Sequence, residues 1–315
     1  MTDLRRTCAA LFGAAALTFV IPAPAQAAYP VDRGDTCVEE AAHDAAPSSG
    51  SHARSAGRVN GPDHREVTAK QQRAIERRTD AILQRKGMTQ AEAEAAGGTV
   101  PVYFHVMAAE NGDGDVSNRQ LRRQLAVLNN TFAGGESDDA ADTGFSFTLA
   151  GIDRYYNDVW HRDHASNKYR SETRQGGADA LNVWLVDFKY LGVATFPWDY
   201  PKKGEIDGIR VHYDSIPGGS IENYNLGETA THEAGHWLGL YHTFQGGCDE
   251  PNDEVADTPA QSSPTRGCPE GRDSCELPGL DPIENYMDYS FDSCYTEFSP
   301  GQSDRMSAMF AAYRS

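Results

Sequence analysis

The sequence has few basic residues for its acidic content, with 28 Lys and Arg against 46 Asp and Glu. Residues 98–315 hold 16 basic and 34 acidic side chains, so the entire net charge of −18 belongs to them. A surface that binds nucleic acid needs an excess of positive charge, so this composition argues against nucleic acid as a partner. The acidity favours attraction of cationic peptides, or it serves only ordinary solubility.

Long apolar runs are also lacking. The longest, residues 8–21, is too short to span a membrane comfortably, and no other run approaches that length. Arg5 and Arg6 precede it and Ala25-Gln26-Ala27 follows it, which predicts a secretory signal peptide at residues 1–27, cut before Ala28. We therefore expect an exported protein that is not held in a membrane, with an uncleaved anchor as the alternative. No internal repeat is evident.

One stretch, residues 231–242, carries most of the chemical information. On a helix, His232 and His236 stand four residues apart and project from one face, where two imidazoles can take two corners of a zinc tetrahedron. Glu233 lies beside them, within reach of water at the metal. Gly239 tolerates positive φ and lets the chain turn, so that His242 can return as the third ligand. The fourth position stays open for water, as hydrolytic zinc sites require.

The alternative for this stretch is a buried helix whose histidines are satisfied by ordinary hydrogen bonds. Three histidines and a carboxylate on an apolar helix would be costly to bury without a metal, which favours the zinc site. Asn225 followed by Glu228 predicts the N-cap of this helix and its third-position partner.

A second motif, residues 285–290, tests the first. Zinc motifs of this long form are accompanied by a methionine-containing turn beneath the metal. Met287 would form a soft apolar floor under the imidazoles, and Tyr289 could donate a hydrogen bond to a developing oxyanion. A turn with an ordinary core methionine is the alternative.

Together these residues resemble the metzincin clan of zinc endopeptidases. Residues 225–242, 253–259 and 285–289 look like the pappalysin family, with members of the cytophagalysin and ulilysin type closest in appearance. The resemblance runs from about residue 100 to the C-terminus. It implies the disulfides Cys248–Cys275 and Cys268–Cys294, which spacing alone does not select among three connectivities. It also implies a structural calcium ion near the acidic loop after the zinc helix.

The periodicity of the chain predicts an α/β (α+β) fold for residues 98–315, a catalytic domain of two lobes. Alternating apolar residues predict a strand at 100–106, and further strands are expected at 145–152, 181–187 and 206–214. Ser117 begins a capping box before a helix that runs to Phe132, and Ser299-Pro300 begins a closing helix. We expect a mixed, twisted sheet above the cleft in an upper lobe that ends near residue 242, and an irregular, disulfide-tied lower lobe at 243–315.

Residues 28–97 have the character of a pro-segment. Residues 39–65 are rich in Ala, Ser, Gly and charge, which is typical of a mobile linker, and one helix is plausible at 67–86. Removal of the signal peptide, which contains Cys8, leaves five cysteines, and Cys37 is the odd one if the other four form two disulfides. Its thiolate could occupy the open zinc position and keep the protein latent. An exposed thiol without a role is the alternative.

Two acidic positions suggest further roles. Asp253 and Asp257 are candidate calcium ligands in a loop that would otherwise be merely solvated. Asp292 follows the methionine turn, where the chain of metzincins forms the pocket for the side chain after the scissile bond. A carboxylate there would favour Arg or Lys, unless it is only an exposed loop residue. Self-cleavage before Arg54 or Arg58 in the linker could then activate the protein.

The sequence thus predicts a secreted, monomeric zinc endopeptidase made as a latent precursor, acting on proteins or peptides with Glu233 as general base. The rivals are a catalytically silent zinc-binding extracellular module and a zinc hydrolase of non-peptide bonds. A purely structural site would close its fourth position and needs no base, so Glu233 argues against the first rival.

Overall fold

The computed structural model describes residues 67–249 and 251–315, which belong to a single compact unit. The predicted signal peptide, the linker and Cys37 lie outside the described residues. The α-helices of the described residues are α1 (Ala69–Lys86), α2 (Gln90–Glu94), α3 (Asn118–Phe132), α4 (Asp158–His161), α5 (Ser166–Thr173), α6 (Tyr200–Lys203), α7 (Glu228–Trp237) and α8 (Pro300–Tyr313). No helix in this part of the chain is long and apolar enough to cross a membrane.

The described residues form one sheet of five strands, in the order β2-β1-β3-β5-β4. Its strands are β1 (Gly98–Ala108), β2 (Phe145–Tyr156), β3 (Leu181–Val186), β4 (Gly192–Ala194) and β5 (Ile209–His212). The first four in spatial order run parallel, and β4 pairs antiparallel with β5 at the edge. The sheet is mixed, as predicted, but β4 was not predicted because a strand of three residues shows no periodicity.

Buried apolar side chains of the sheet pack against the helices on its faces. β3 is buried along its whole length, as a strand covered on both faces must be. The ring of Phe132 in α3 meets the ring of Phe147 in β2 edge to face, with centroids 4.8 Å apart, and its centroid lies 4.9 Å from that of Phe298. The same core includes Trp237 of α7 and Met287. The sheet, the zinc-motif helix and the methionine turn therefore share one core.

Capping boxes mark the helix starts that the sequence predicted. The Ser117 side chain accepts from the Gln120 backbone amide while the Gln120 side chain bonds back, and Ser299 and Gln302 do the same before α8. α1 begins with a third capping box at Thr68 and ends at Gly87 in the left-handed region. The strand predicted at 206–214 is shorter than expected, because single 3-10 turns flank β5 on both sides.

Candidate metal centre

The zinc-motif helix α7 lies next to β4, β5 and α3 in the centre of the core, and each of its ten residues is buried. The Gln124 amide donates to the Gly227 carbonyl (2.9 Å), and the hydroxyls of Thr131 and Thr231 are 3.1 Å apart. Both bonds tie α7 to α3.

The prediction that Asn225 is the N-cap of this helix is wrong. The helix begins at Glu228 with Gly227 at the N-cap, where φ is 110°, a value that favours glycine. The Asn225 amide instead donates to the Gly219 carbonyl (3.0 Å) and closes the preceding loop.

The side chains of His232, His236 and His242 converge at one buried point. Nε2 of His242 lies 3.3 Å from Nε2 of His232 and 3.0 Å from Nε2 of His236. All three residues are at most 4% exposed. Two histidines one helical turn apart on α7, and a third beyond the glycine turn, therefore bring their Nε2 atoms together, as the sequence predicted.

The other ring nitrogens show which tautomer the first two histidines adopt. Nδ1 of His232 donates to the Tyr286 carbonyl oxygen (2.6 Å), and Nδ1 of His236 donates to the Leu240 carbonyl oxygen (2.8 Å). A carbonyl oxygen only accepts, so Nδ1 carries the proton, and in the neutral ring the Nε2 lone pair faces the cluster. Backbone partners of this kind orient metal-ligating histidines.

These donors fit a zinc ion. The three histidines form a group of ligand atoms within 4.8 Å of one another that could hold a metal, and it is the one such group among the described residues. Neutral imidazoles are ligands that Zn²⁺ prefers, and three protein ligands leave a position for water. Lone pairs brought this close in a buried site are stabilised by a cation between them.

The turn after α7 brings the third histidine back. Gly239 has a φ of 107°, and Leu240 N–H donates to the Gly235 carbonyl (3.0 Å). A Cβ built on Gly239 would lie 2.6 Å from Cγ of Met309. Glycine at 239 is therefore required twice, for the backbone angle and for the close approach of α8.

Glu233 is 1% exposed and lies against the edge strand β4. A Cβ built on Gly192 would overlap the Glu233 side chain, with Cγ, Cδ and Oε1 as its nearest neighbours. Gly192 could not be predicted from the sequence, since it stands 41 positions before Glu233 in the chain and belongs to no motif. The absence of a side chain at 192 makes the room that the Glu233 carboxylate occupies.

The methionine turn lies directly beneath α7. Met287 is fully buried, and a Cβ built on Gly235 would lie 2.5 Å from its Sδ. The Tyr289 ring centroid lies 4.9 Å from that of His242 and 5.7 Å from that of His232. The structure therefore brings the predicted floor and the predicted phenol to the histidine cluster.

Asp292 is 3% exposed, beside the segment that leads into α7. Its Oδ2 accepts from the Leu226 backbone amide (2.9 Å), and its own amide donates to the Asn223 carbonyl (2.9 Å). Asp292 is therefore buried, and the alternative that it is only an exposed loop residue is wrong. Its carboxylate is held in a fixed orientation between the methionine turn and the start of the zinc helix.

The lower lobe contains the disulfides Cys248–Cys275 and Cys268–Cys294, the pairing that the family resemblance implies. The second bridge ends at Cys294, in the short 3-10 turn that also contains Asp292. A covalent tie therefore limits the movement of the segment that carries this carboxylate.

The two candidate calcium ligands are engaged in protein contacts. Asp253 accepts from the Val255 amide (3.1 Å) and the Thr258 hydroxyl (2.7 Å), and burial raises its pKa to about 7. Asp257 accepts from the Ser299 hydroxyl and the Gly301 amide, each at 2.7 Å, at the start of α8. The structure gives the calcium prediction no support: Asp253 ties its own loop and Asp257 binds a helix N-terminus.

Fold and site together define the class: a metzincin-type metalloprotease with a mixed sheet, a long histidine motif and a methionine turn. Comparison with known proteins agrees. Residues 181–311 match the family model Peptidase_M43, described as pregnancy-associated plasma protein-A. An extracellular metalloprotease of Colletotrichum graminicola is 46% identical over 230 residues, 70% of this chain and 79% of the relative. One of Pyricularia oryzae is 45% identical over 244 residues, 72% of this chain and 83% of the relative.

Solved structures show the same fold. A mutant of promirolysin from Tannerella forsythia superposes with a TM-score of 0.65 at 27% identity, over 76% of this chain and 88% of that one. Mature mirolysin from the same organism, in complex with a cleaved peptide, gives a TM-score of 0.59 at 30% identity, over 67% and 91%. The chain belongs to the pappalysin family of metalloproteases.

Proposed function

We propose that this chain is a secreted, zinc-dependent endopeptidase in which Glu233 moves the protons of peptide hydrolysis. The observation that carries the proposal is the buried cluster of three Nε2 atoms, next to a carboxylate that a glycine accommodates. Relatives that cover most of this chain are named extracellular metalloproteases, and a signal peptide is predicted at residues 1–27, which supports secretion.

Bound zinc would supply a Lewis acid for the scissile carbonyl and lower the pKa of water at the site. Glu233 Oε accepts a proton from the attacking water and passes it to the leaving amine nitrogen. The Tyr289 hydroxyl donates a hydrogen bond to the oxygen that gains charge as the carbonyl becomes tetrahedral. β4 is the edge strand of the sheet, so an extended peptide can add to it beside Glu233.

Digestion of a peptide library tests this function. The purified protein should cleave peptides, cleavage should stop when a chelator is added, and Glu233→Ala should abolish it while zinc stays bound. Wild-type protein that retains zinc and cleaves no peptide would contradict the proposal and would favour a catalytically silent zinc-binding module.

Asp292 supports a preference for Arg or Lys after the scissile bond. Its carboxylate is buried, and a buried carboxylate gains most from a cationic partner. Asp292→Asn keeps the shape and an oxygen for the Leu226 amide but removes the charge. We expect kcat/KM for peptides with Arg at that position to fall roughly 10- to 100-fold, which is about 1.4 to 2.7 kcal/mol, with little change for Leu peptides. An equal loss for both peptides would contradict the preference.

A latent precursor with Cys37 on the zinc position is part of the same proposal. Mirolysin exists both as promirolysin and in a mature form, which supports a precursor here. Cys37→Ala in the full chain should then be active without processing. If this variant remains as latent as the parent chain, Cys37 has no such role.

A further inference from the structure

Arg305 of α8 holds the turn that joins the second and third histidines. Its guanidinium is buried, and Nε donates to the Gly239 carbonyl oxygen (3.0 Å). The same guanidinium lies 4.8 Å above the ring centroid of Tyr241, the residue before His242. Gly239 stands midway between His236 and His242, so this contact acts on the backbone that sets where the third imidazole lies.

The partner that neutralises Arg305 comes from α1. Glu76 accepts from Nη2 (2.8 Å) and from Nη1 (3.2 Å), a two-point contact that fixes the plane of the guanidinium. Burial works to lower the pKa of Arg305, but the Glu76 carboxylate raises it above its ordinary value. The arginine therefore stays charged, and its orientation toward Gly239 depends on a helix far away in sequence.

α1 docks on the rest of the protein at other points along its length. The Gln245 amide donates to the Val67 carbonyl (2.7 Å), just before the helix, and the Gln72 amide donates to the Asn252 carbonyl (2.8 Å). At its other end, Lys86 Nζ donates to the Ala311 carbonyl (2.7 Å). Leu83 is buried in a cluster with residues of α8. This is the packing of a permanent element, not of a strap over a cleft.

We propose that α1 is a retained part of the catalytic unit and that Glu76, acting through Arg305, is a positioning residue for the zinc ligand His242. The sequence alone predicts that this helix belongs to a pro-segment at residues 28–97. On this proposal, processing stops before Val67. The inference rests on the proposed zinc protease function, and it assigns to α1 a role that no catalytic motif indicates.

Zinc affinity tests the positioning role without relying on activity. All variants are made in the full chain with Glu233→Ala, which prevents self-digestion, and zinc is titrated against a competing chelator. Arg305→Met should weaken zinc binding about 10- to 100-fold, as loss of a residue that orients a ligand does, and Glu76→Gln about 3- to 10-fold. Asp80→Asn removes the same charge from an exposed position one turn along α1 and should leave the affinity within twofold.

A double-mutant cycle separates positioning from general stability. Glu76→Gln should have no further effect on zinc affinity once Arg305 is Met, because its effect passes through Arg305. If Arg305→Met does not fold, Arg305→Lys replaces it in the cycle. Folded Arg305 and Glu76 variants that bind zinc as tightly as Asp80→Asn would overturn the proposal, whether or not the protein proves to be a protease.

The processing boundary is read from the wild-type chain. After activation, mass spectrometry of the zinc-loaded form should give an N-terminus upstream of Val67. A zinc-loaded form that lacks α1 and keeps full affinity would equally overturn the proposal. Failure to cleave any substrate would count against the proposed function instead, and would leave the zinc titration to decide the role of Glu76.

Discussion

The guanidinium of Arg314 forms a fully buried ion pair with the carboxylate of Asp207, with Nη1 and Oδ2 2.9 Å apart and both side chains 0% exposed. Arg314 Nε also donates to the Trp237 carbonyl at the end of α7 (2.9 Å), and the guanidinium stacks 3.6 Å from the centroid of a Trp237 ring. Asp207 in turn accepts from Trp237 Nε1 (2.9 Å). The C-terminal end of α7 is therefore held by a buried pair of opposite charges.

Asp207→Ala should destabilise the protein strongly, because it leaves the Arg314 charge buried without a partner. We expect a loss of about 3 to 5 kcal/mol in the free energy of unfolding, measured by urea titration. Asp207→Ala combined with Arg314→Met removes both charges and should recover part of that loss. A single variant that loses less than about 1 kcal/mol would show that the pair does not stabilise α7.

Gly192→Ala should lower kcat roughly 100-fold with zinc content unchanged, because the new methyl group displaces the Glu233 carboxylate from its place. The backbone at 192 does not have positive φ, so alanine is tolerated conformationally. Steady-state kinetics and metal analysis measure the two effects. Gly204→Ala is the control. Its new Cβ would contact the Tyr200 ring at 3.2 Å and not the Glu233 side chain. Equal kcat in the two variants would mean that Gly192 does not make room for Glu233.

Removal of zinc should lower the thermal stability of the protein. Three buried imidazole nitrogens lie close together, and a cation between them offsets the repulsion of their lone pairs. At free zinc a thousandfold above Kd, binding contributes about 4 kcal/mol to stability. Calorimetry with and without chelator measures the difference, and His242→Ala should show almost none. If the unfolding temperature of the wild-type protein does not change when the chelator is added, that result would argue against a native zinc site.

Asp253 should make the protein less stable as the pH rises from about 4 to 7. Burial raises its pKa to about 7, so over this range the unfolded chain has ionised at this carboxyl while the folded protein keeps its proton. The stabilisation is complete below the ordinary pKa of aspartate and is lost as the pH approaches 7, by about 1.4 kcal/mol per pH unit and at most about 4 kcal/mol.

Asp253→Asn does not titrate and should lack this loss. Urea unfolding of both proteins at pH 4.5, 6 and 8 measures it, and the stability of the variant relative to wild type should rise across the series. Parallel profiles for the two proteins would show that Asp253 ionises normally in the folded state.

Local spacing determined what the sequence could predict. His232, His236 and His242 are fixed relative to one another by one helical turn and one glycine turn, so their convergence follows from short-range geometry. The capping boxes at Ser117 and Ser299 are equally local, and both mark real helix starts. The long strands were predicted because their apolar residues recur over many positions.

Contacts between distant segments could not be predicted in this way. Gly192 matters only because β4 folds over Glu233, and nothing within a three-residue strand indicates that. Glu76 is one of several charged residues on α1 until α8 brings Arg305 to it. Asn225 has the right residue type for an N-cap, but Gly227 takes that position because the chain approaches α7 with a positive φ.

The support of α7 by α8 also determines when the site can form. The ribosome adds the three histidines well before it adds Arg305 and Arg314. Arg314 holds the end of α7, and Arg305 holds the turn that follows it. A nascent chain that stops short of α8 therefore contains His232, His236 and His242 without the contacts from α8 that hold α7 and the turn after it. During synthesis, the contacts that hold the three histidines are therefore complete only after the chain beyond the methionine turn has been made.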